Sequence, residues 1–472
     1  MSDQIAIASS FVLFLLLFTG VGIYSASRQQ HTTTDYLLAS RNVNPWLMGL
    51  SAFATAHSGG MFISIIGWTY TVGISSAWLL VGWFVGDYLA WFVVYKPLRI
   101  VSEETDSETI GAFLAQKQKY NAIAAVSALI TIAFLGAAAA AQLLAASKAL
   151  HVIFGWNYSW GIILGAIIVV SYCFSGGIRA SIWTDALQSI LMVVAMMMLL
   201  IVAIISCGGI AGLWQQLSQI DPILVDPIPQ GLQYGFGLFM LSWLMAGIGV
   251  AGQPQIMIRA MVIDDASKIG VSRNIYAIFY ILFSTAAVLV GLCARVLLPN
   301  LINGGDPELA LPQMAIALLP AILVGVILAG IFSAVVSTAD SQILACSAAL
   351  TQDLFPEMGR SYKLVKIGTL IITAIILAIA LASNKNMFAL GIFAWSALAS
   401  GLAPILILRV WRFHVDTGVG VAMMLVGLAT AAVWNGVLKL SGSIYEVLPG
   451  MLAGFLVYVL AQIYNKKGFG LW

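Results

Sequence analysis

Apolar runs of about twenty residues recur along the chain. Each is closed by polar or Gly- and Pro-containing punctuation, as in "SRQQHTTTDY", "VSEETDSET", "LVDPIPQG", "NGGDPELALP" and "DLFPEMGRSYK". A bilayer core about 30 Å thick takes about 20 apolar helical residues to cross. The pattern therefore predicts thirteen membrane spans, numbered in order: 5–25, 46–70, 75–97, 121–148, 157–175, 182–206, 234–255, 274–297, 320–350, 363–383, 387–409, 418–440 and 444–464. The leading "MSDQ" carries no basic residue, and the run behind it is longer than a signal-peptide core, so span 1 reads as retained. Nothing between spans is long enough to fold alone, and residues 1–472 read as one membrane domain.

Composition agrees. Hydrophobic residues make up 61% and charged residues 8%, where a soluble domain carries about 25% charged. A soluble globular protein is excluded. The net charge of +2 implies no nucleic-acid partner. The position of the charges says more. Seventeen of the 21 Lys and Arg residues fall in loops after odd-numbered spans or at the C-terminus, among them Arg41, Arg99, Lys117, Lys119, Arg179, Arg259, Lys268, Arg409, Lys466 and Lys467. The other side holds Lys148, Arg295, Lys385 and Lys439. The positive-inside bias puts the N-terminus outside and the C-terminus in the cytoplasm. The four cysteines have no metal or redox spacing and read as small packing residues.

Two spans carry their own breaking point. Span 2 contains "TAHSGG" and span 7 contains "MAGIGVAGQP". Glycine costs about 1 kcal/mol in a helix interior and proline about 3, although glycine also serves close helix crossings in membranes. The pairing of the two breaks favours a site. Spans 2 and 7 are an odd number apart, so spans 2–6 and 7–11 would form two five-helix units of inverted topology. Interrupted helices at corresponding positions of two halves mark a carrier's midplane binding site.

Three carboxylates fall within spans: Asp87, Asp185 and Asp340. Each needs a partner or a watery cavity, and none has a basic residue one helical turn away, so a cation from solution is a natural partner. In span 9, "SAVVSTADSQ" places Ser333, Ser337 and Asp340 along one face, with Thr338 and Ser341 beside them. Hydroxyls and carboxylates are hard oxygen ligands suited to sodium, while membrane Ser and Thr also bond back to their own helix. Asp185 could instead be a helix N-cap, and Asp87 could bond to a neighbouring helix. His57 reads as a hydrogen-bonded interior residue.

The stretches "TDYLLASRNVNPWLMGLSA", "SGGIRASIWTDALQSILM", "GQPQIMIRAM" and "AVVSTADSQILACSAALTQDLF" occur in the order in which the sodium/solute symporter family carries them. The chain resembles that family over its whole length, and most of all the sodium/proline branch. The resemblance implies an all-α polytopic membrane protein of thirteen helices with a leucine-transporter-type 5+5 inverted-repeat core. Residues 1–30 would form a peripheral first span, 45–206 and 234–410 the two repeats, and 417–465 two further peripheral spans. It also implies sodium bound between spans 2 and 9, by the carbonyls of Ala54, His57 and Ala334 and the hydroxyls of Ser337 and Thr338. Asp185, with Asp340 and Ser341, lies where some members hold a second cation. Ser58, Gly59, Trp243 and Gly247 are the candidate substrate residues. The pocket departs from the proline branch: Ala56 stands for an aspartate, His57 for a methionine, Ala138 for a tyrosine, and Ala246 and Val250 for aromatics.

The function expected is sodium-coupled symport of a small polar solute by alternating access. The single chain is the working unit, in a bacterial inner membrane, with lipid, sodium and solute as its partners. Proline is the first candidate solute, and a monocarboxylate or pantothenate-like acid the next. Proton coupling through Asp340, Asp185 or His57 is the second reading, and a sensor on a carrier scaffold the third. No nucleophile, phosphate loop or metal motif suggests an enzyme.

Overall fold

The computed structural model describes residues 2–28, 30–116, 122–302, 305–382 and 387–468. Lys117, Lys119 and Lys385, and the side chains of Lys466 and Lys467, lie outside the described residues. The described chain is a bundle of helices whose only extended pairing is a single parallel bridge, Val43 to Ile263. Among the described residues, eleven helices are long and apolar enough to cross a bilayer. Two of the thirteen expected spans do not qualify separately. Span 2 is divided into halves of 12 and 14 residues, and span 5 runs on into span 6 within one helical stretch, Tyr158–Ser206.

The breaks come where the residues say. Asn44 caps the first half of span 2 by accepting the Trp46 N–H, with Pro45 supplying a preset φ, and the helix Pro45–Ala56 stops at His57 (φ −96°, ψ 78°). It restarts as Gly59–Val72. Span 7 runs Gly235–Ile248, tightens into a 3₁₀ turn over Gly249–Gly252, turns extended at Gln253 and restarts at Pro254. Proline has no N–H to lose at the first helical position, so Pro254 opens the helix Pro254–Val262. That second half reaches seven residues beyond the expected boundary at 255. Arg259, expected in a loop, therefore sits inside the bundle, fully buried.

Spans 5 and 6 are also joined differently from the expectation. One helical run, Tyr158–Ser206, bends at Gly177 (φ 56°, ψ −146°) instead of opening into a loop. A side chain is strained at that φ, and a Cβ there would meet the ring and carbonyl of Tyr36. Asp185 is thus in mid-helix, and the N-cap reading is overturned.

The straight helix of span 9, Ala321–Ala348, runs through the centre. It packs against the Tyr158–Ser206 run, span 4, both halves of span 2 and span 1. Span 3 crosses span 7 with glycine against backbone: a Cβ on Gly247 would fall on the main chain of Trp83 and Asp87. Thr417–Gly436 and Val447–Gly468 pack on each other and on Met387–Val410, at the flank of the bundle.

Candidate functional site

Where span 2 breaks, span 9 lays its hydroxyls against the freed main chain. Ser337 Oγ donates to the Ala54 carbonyl at 3.1 Å, and Thr338 Oγ1 lies 3.3 Å from the same oxygen and 3.4 Å from the Thr55 carbonyl. Ser337 Oγ is also 3.4 Å from the Ala334 carbonyl. Ala54, Ala334, Ser337 and Thr338 thus come together, and His57 is the residue at which the half-helix stops. Every donor atom here is a neutral, hard oxygen, which fits a small alkali cation better than a soft metal. Ser333, on the same face, bonds back to Ala329 instead.

One turn further along span 9 lies a buried charge cluster. Arg259 Nη2 stands 3.2 Å from Asp185 Oδ2, both side chains being fully buried. The same nitrogen donates to Ser181 Oγ at 2.8 Å and Ser341 Oγ at 2.5 Å. Ser51 Oγ donates to Asp185 Oδ2 at 2.7 Å. Asp340 Oδ1 accepts from Ser341 at 2.9 Å and Ser181 at 3.2 Å. Asp185 has no basic residue one turn away on its own helix, as expected, but a cationic partner reaches it from a distant span, Arg259 of span 7, in addition to any cation from solution. One guanidinium faces two carboxylates, and Asp185 Oδ1 and Asp340 Oδ2 have no partner among the described residues. Thr55 Oγ1, 3.3 Å from Ser341 Oγ, links this cluster to the span 2 break. Arg259, Ser51 and Ser181 were missed by the sequence reading. The one signal was an arginine in "PQIMIRAM", apolar on both sides, directly behind a Gly-Pro break.

Beside the break opens a cavity of about 100 Å³. Span 2 contributes Thr55 to Ser58 and Gly60, span 4 Ala138 and Gln142, span 7 Gln253 and Gln255, span 8 Tyr276 and Tyr280, span 9 Thr338 and Gln342, together with Trp83 and Trp395. No carboxylate, lysine or arginine is among these lining residues. Ser58 lines the cavity. Gly59 stands at its edge, its N–H donating to Gln142 Oε1 at 2.9 Å. Trp243 and Gly247 do not line it. Trp243 stacks on Tyr445, ring centroids 4.4 Å apart, and Gly247 is spent on the crossing with span 3. The aromatic walls come instead from Trp395, whose Nε1 donates to the Ala246 carbonyl at 3.2 Å, and from Trp83 packed against it.

His57 is buried and stacked on Phe53 (4.2 Å), with Tyr280 edge-on at 4.6 Å. Its Nδ1 lies 3.0 Å from the Phe53 carbonyl. A carbonyl can only accept, so Nδ1 carries the hydrogen. Asp87 accepts from the Tyr276 hydroxyl, across spans 3 and 8. The expected bond from Asp87 to a neighbouring helix is present.

Two broken helices that cross a straight one beside a cavity define a membrane carrier of the broken-helix type. Residues 36–427 match the sodium:solute symporter family, and the chain belongs to that family, whose coupling ion is sodium. It is 30% identical over 478 residues to a sodium/proline symporter of Staphylococcus aureus, covering 97% of this chain and 92% of the relative. It is 28% identical to the osmoregulated proline transporter OpuE of Bacillus subtilis, covering 99% and 96%. In fold it is similar to a sodium-coupled sialic acid symporter in a substrate-bound, outward-open state, with a TM-score of 0.78 at 17% identity over 96% of this chain and 97% of the other. A likeness to MhsT in complex with L-phenylalanine has a TM-score of 0.57 at 15% identity, over 89% and 98%.

Proposed function

We propose that the protein couples inward sodium flow to uptake of a small polar organic solute, an amino acid such as proline being the first candidate. The observation that carries this is the convergence of the Ser337 and Thr338 hydroxyls on the Ala54 carbonyl, directly beside a cavity of amides and aromatic rings. Sodium held by Ala54, His57, Ala334, Ser337 and Thr338 would bridge spans 2 and 9 and order the break. Ser58 and Gly59 would then receive the solute. The ion shifts the carrier between its states only by binding one of them more tightly.

The reading includes thirteen spans with the N-terminus outside, two inverted repeats at 45–206 and 234–410, peripheral spans at 1–30 and 417–465, and a single chain as the working unit in a bacterial inner membrane. It also includes a second cation, sodium or a proton, held by Asp185, Asp340 and Ser341. Arg259 balances one of two buried carboxylates there, and the other calls for one more positive charge. Proline is favoured by the two relatives named for it. A monocarboxylate or pantothenate-like acid is the second reading, favoured by the loss of any acidic side chain from the cavity wall. A thermal-shift screen of purified protein with amino acids and organic acids, each with sodium and with potassium, tests this. Stabilisation by a solute only in sodium is expected, and stabilisation equal in both salts would contradict it.

A further inference from the structure

Three side chains in the wall of the cavity have already given their hydrogens away. The Tyr276 hydroxyl donates to Asp87 Oδ2. The Tyr280 hydroxyl donates to the Leu80 carbonyl at 3.2 Å. His57 donates from Nδ1 to the Phe53 carbonyl, which leaves Nε2 as an acceptor, and Nε2 is buried without a partner. Two amides continue the pattern. The Trp395 carbonyl can only accept, so Gln253 presents its NH₂ there at 3.0 Å and its oxygen to Gln255. Gln255 then donates to Gln253 at 3.3 Å, and its own Oε1 is left buried and unpartnered, as is Gln342 Oε1. Spans 2, 7, 8 and 9 thus bring several lone pairs to the cavity wall, beside the amide and indole donors of Gln142, Gln342 and Trp83.

Behind this wall stands a buried carboxyl group. Asp87 is buried, no basic group forms an ion pair with it among the described residues, and its Oδ1 has no partner. The groups facing it are phenols, from Tyr276 of span 8 and Tyr95 of its own helix, while the facing stretch of span 7 brings backbone and apolar side chains. A buried, unpaired carboxylate is costly unless a cation is brought near it.

We propose that the acceptor-rich part of this wall is the subsite for a cationic ammonium group of the solute. Tyr276, His57, Gln255 and Gln342 accept its N–H hydrogens, and Asp87 is the positioning residue, holding the Tyr276 hydroxyl so that its lone pairs face the solute. The inference rests on the symport reading above and names the solute class: an amino acid with a free primary or secondary amine. Unmet buried acceptors reject a solute that brings no donors, because those acceptors stay unpaired.

The test is sodium-dependent binding to the purified full-length protein, read calorimetrically. Its probes are the proteinogenic amino acids, their N-acetyl derivatives, and the amine-free acids lactate and pantothenate. Binding confined to solutes with a free amine is expected. Asp87→Asn should weaken that binding about tenfold or more, Asp87→Glu should recover part of it, and both should keep the sodium half-saturation of the wild type. A purely structural role for Asp87 would instead move the sodium response and the thermal stability with it. Should Asp87→Asn not fold, Tyr276→Phe reads the same contact: weakened amine binding supports the subsite and wild-type affinity overturns it. Sodium-dependent binding of an amine-free acid as tightly as any amino acid overturns the ammonium subsite and leaves the sodium symporter standing. Binding of every solute independent of sodium overturns both.

Discussion

Ser337 and Thr338 reach one main-chain oxygen, and that geometry is testable atom by atom. Ser337→Ala or Thr338→Ala removes one oxygen from the set and should raise the sodium concentration for half-maximal uptake several-fold, with the solute affinity at saturating sodium little changed. Unaltered sodium dependence in both variants would take span 9 out of the ion site. Arg259 and Asp185 make the second residue-scale case. Losing one member of a fully buried ion pair strands the other charge, at a cost of about 3–5 kcal/mol. Arg259→Met is therefore expected to lower the melting temperature much more than the double variant Arg259→Met/Asp185→Asn, and equal losses would show that the pair does not interact. The sequence made Ser337, Thr338 and Asp340 visible because they interrupt an apolar helix at helical spacing. It hid Arg259, because a buried arginine and a loop arginine look alike until the helix end is known. Trp243 and Gly247 lie off the cavity wall for a related reason. Proximity to the span 7 break does not say which side of the helix faces the cavity, and both residues turn towards packing.

Element boundaries follow from local chemistry that glycine and proline announce. The two broken helices were legible from "TAHSGG" and "GQP", since each pairs a weak helix former with a residue fit to restart the helix. The bend at Gly177 was not, because the same Ser-Gly-Gly chemistry serves a loop and a kink, and only packing against Tyr36 decides. Gly177→Ala should cost about 1–3 kcal/mol through its backbone alone, read as a lower unfolding temperature; no loss would mean the bend is not required. Just past the bend, Arg179 holds Asp35 at 2.6 Å, tying the loop after span 1 to span 6. Burial raises the Asp35 carboxyl, but the Arg179 guanidinium, the Gln30 N–H and Ser40 outweigh it and hold it below the usual value. A depressed carboxyl adds stability that is present above its unfolded pKa of about 3.9 and is lost as pH falls through the folded one. The melting temperature should thus drop on acidification below about pH 4, and drop less in Asp35→Asn; parallel acid profiles would remove this pair from the account.

At the scale of the whole molecule, the basic residues knit one end of the bundle together. Arg41 donates to the Met261, Ser102 and Ser107 carbonyls, Arg99 to the Ile263 carbonyl, and Arg412 pairs with Glu104. At the opposite end, the buried Lys148 of span 4 is paired with Asp306 and Glu308 of the connection before span 9. This division supports the orientation argued from charge, and it makes a simple prediction. A cysteine placed at exposed Arg412 should be protected from a membrane-impermeant maleimide in intact cells, and one placed at exposed Trp156 should be labelled; the reverse pattern would invert the topology. What ties these scales together is one claim: sodium at the break of span 2 drives solute into the cell. Uptake into proteoliposomes measures it directly, with labelled proline first and the amino acid selected by the binding screen next, under sodium and proton gradients imposed separately. The account predicts accumulation that requires an inward sodium gradient and collapses when that gradient is dissipated. Equal accumulation driven by protons without sodium would contradict it.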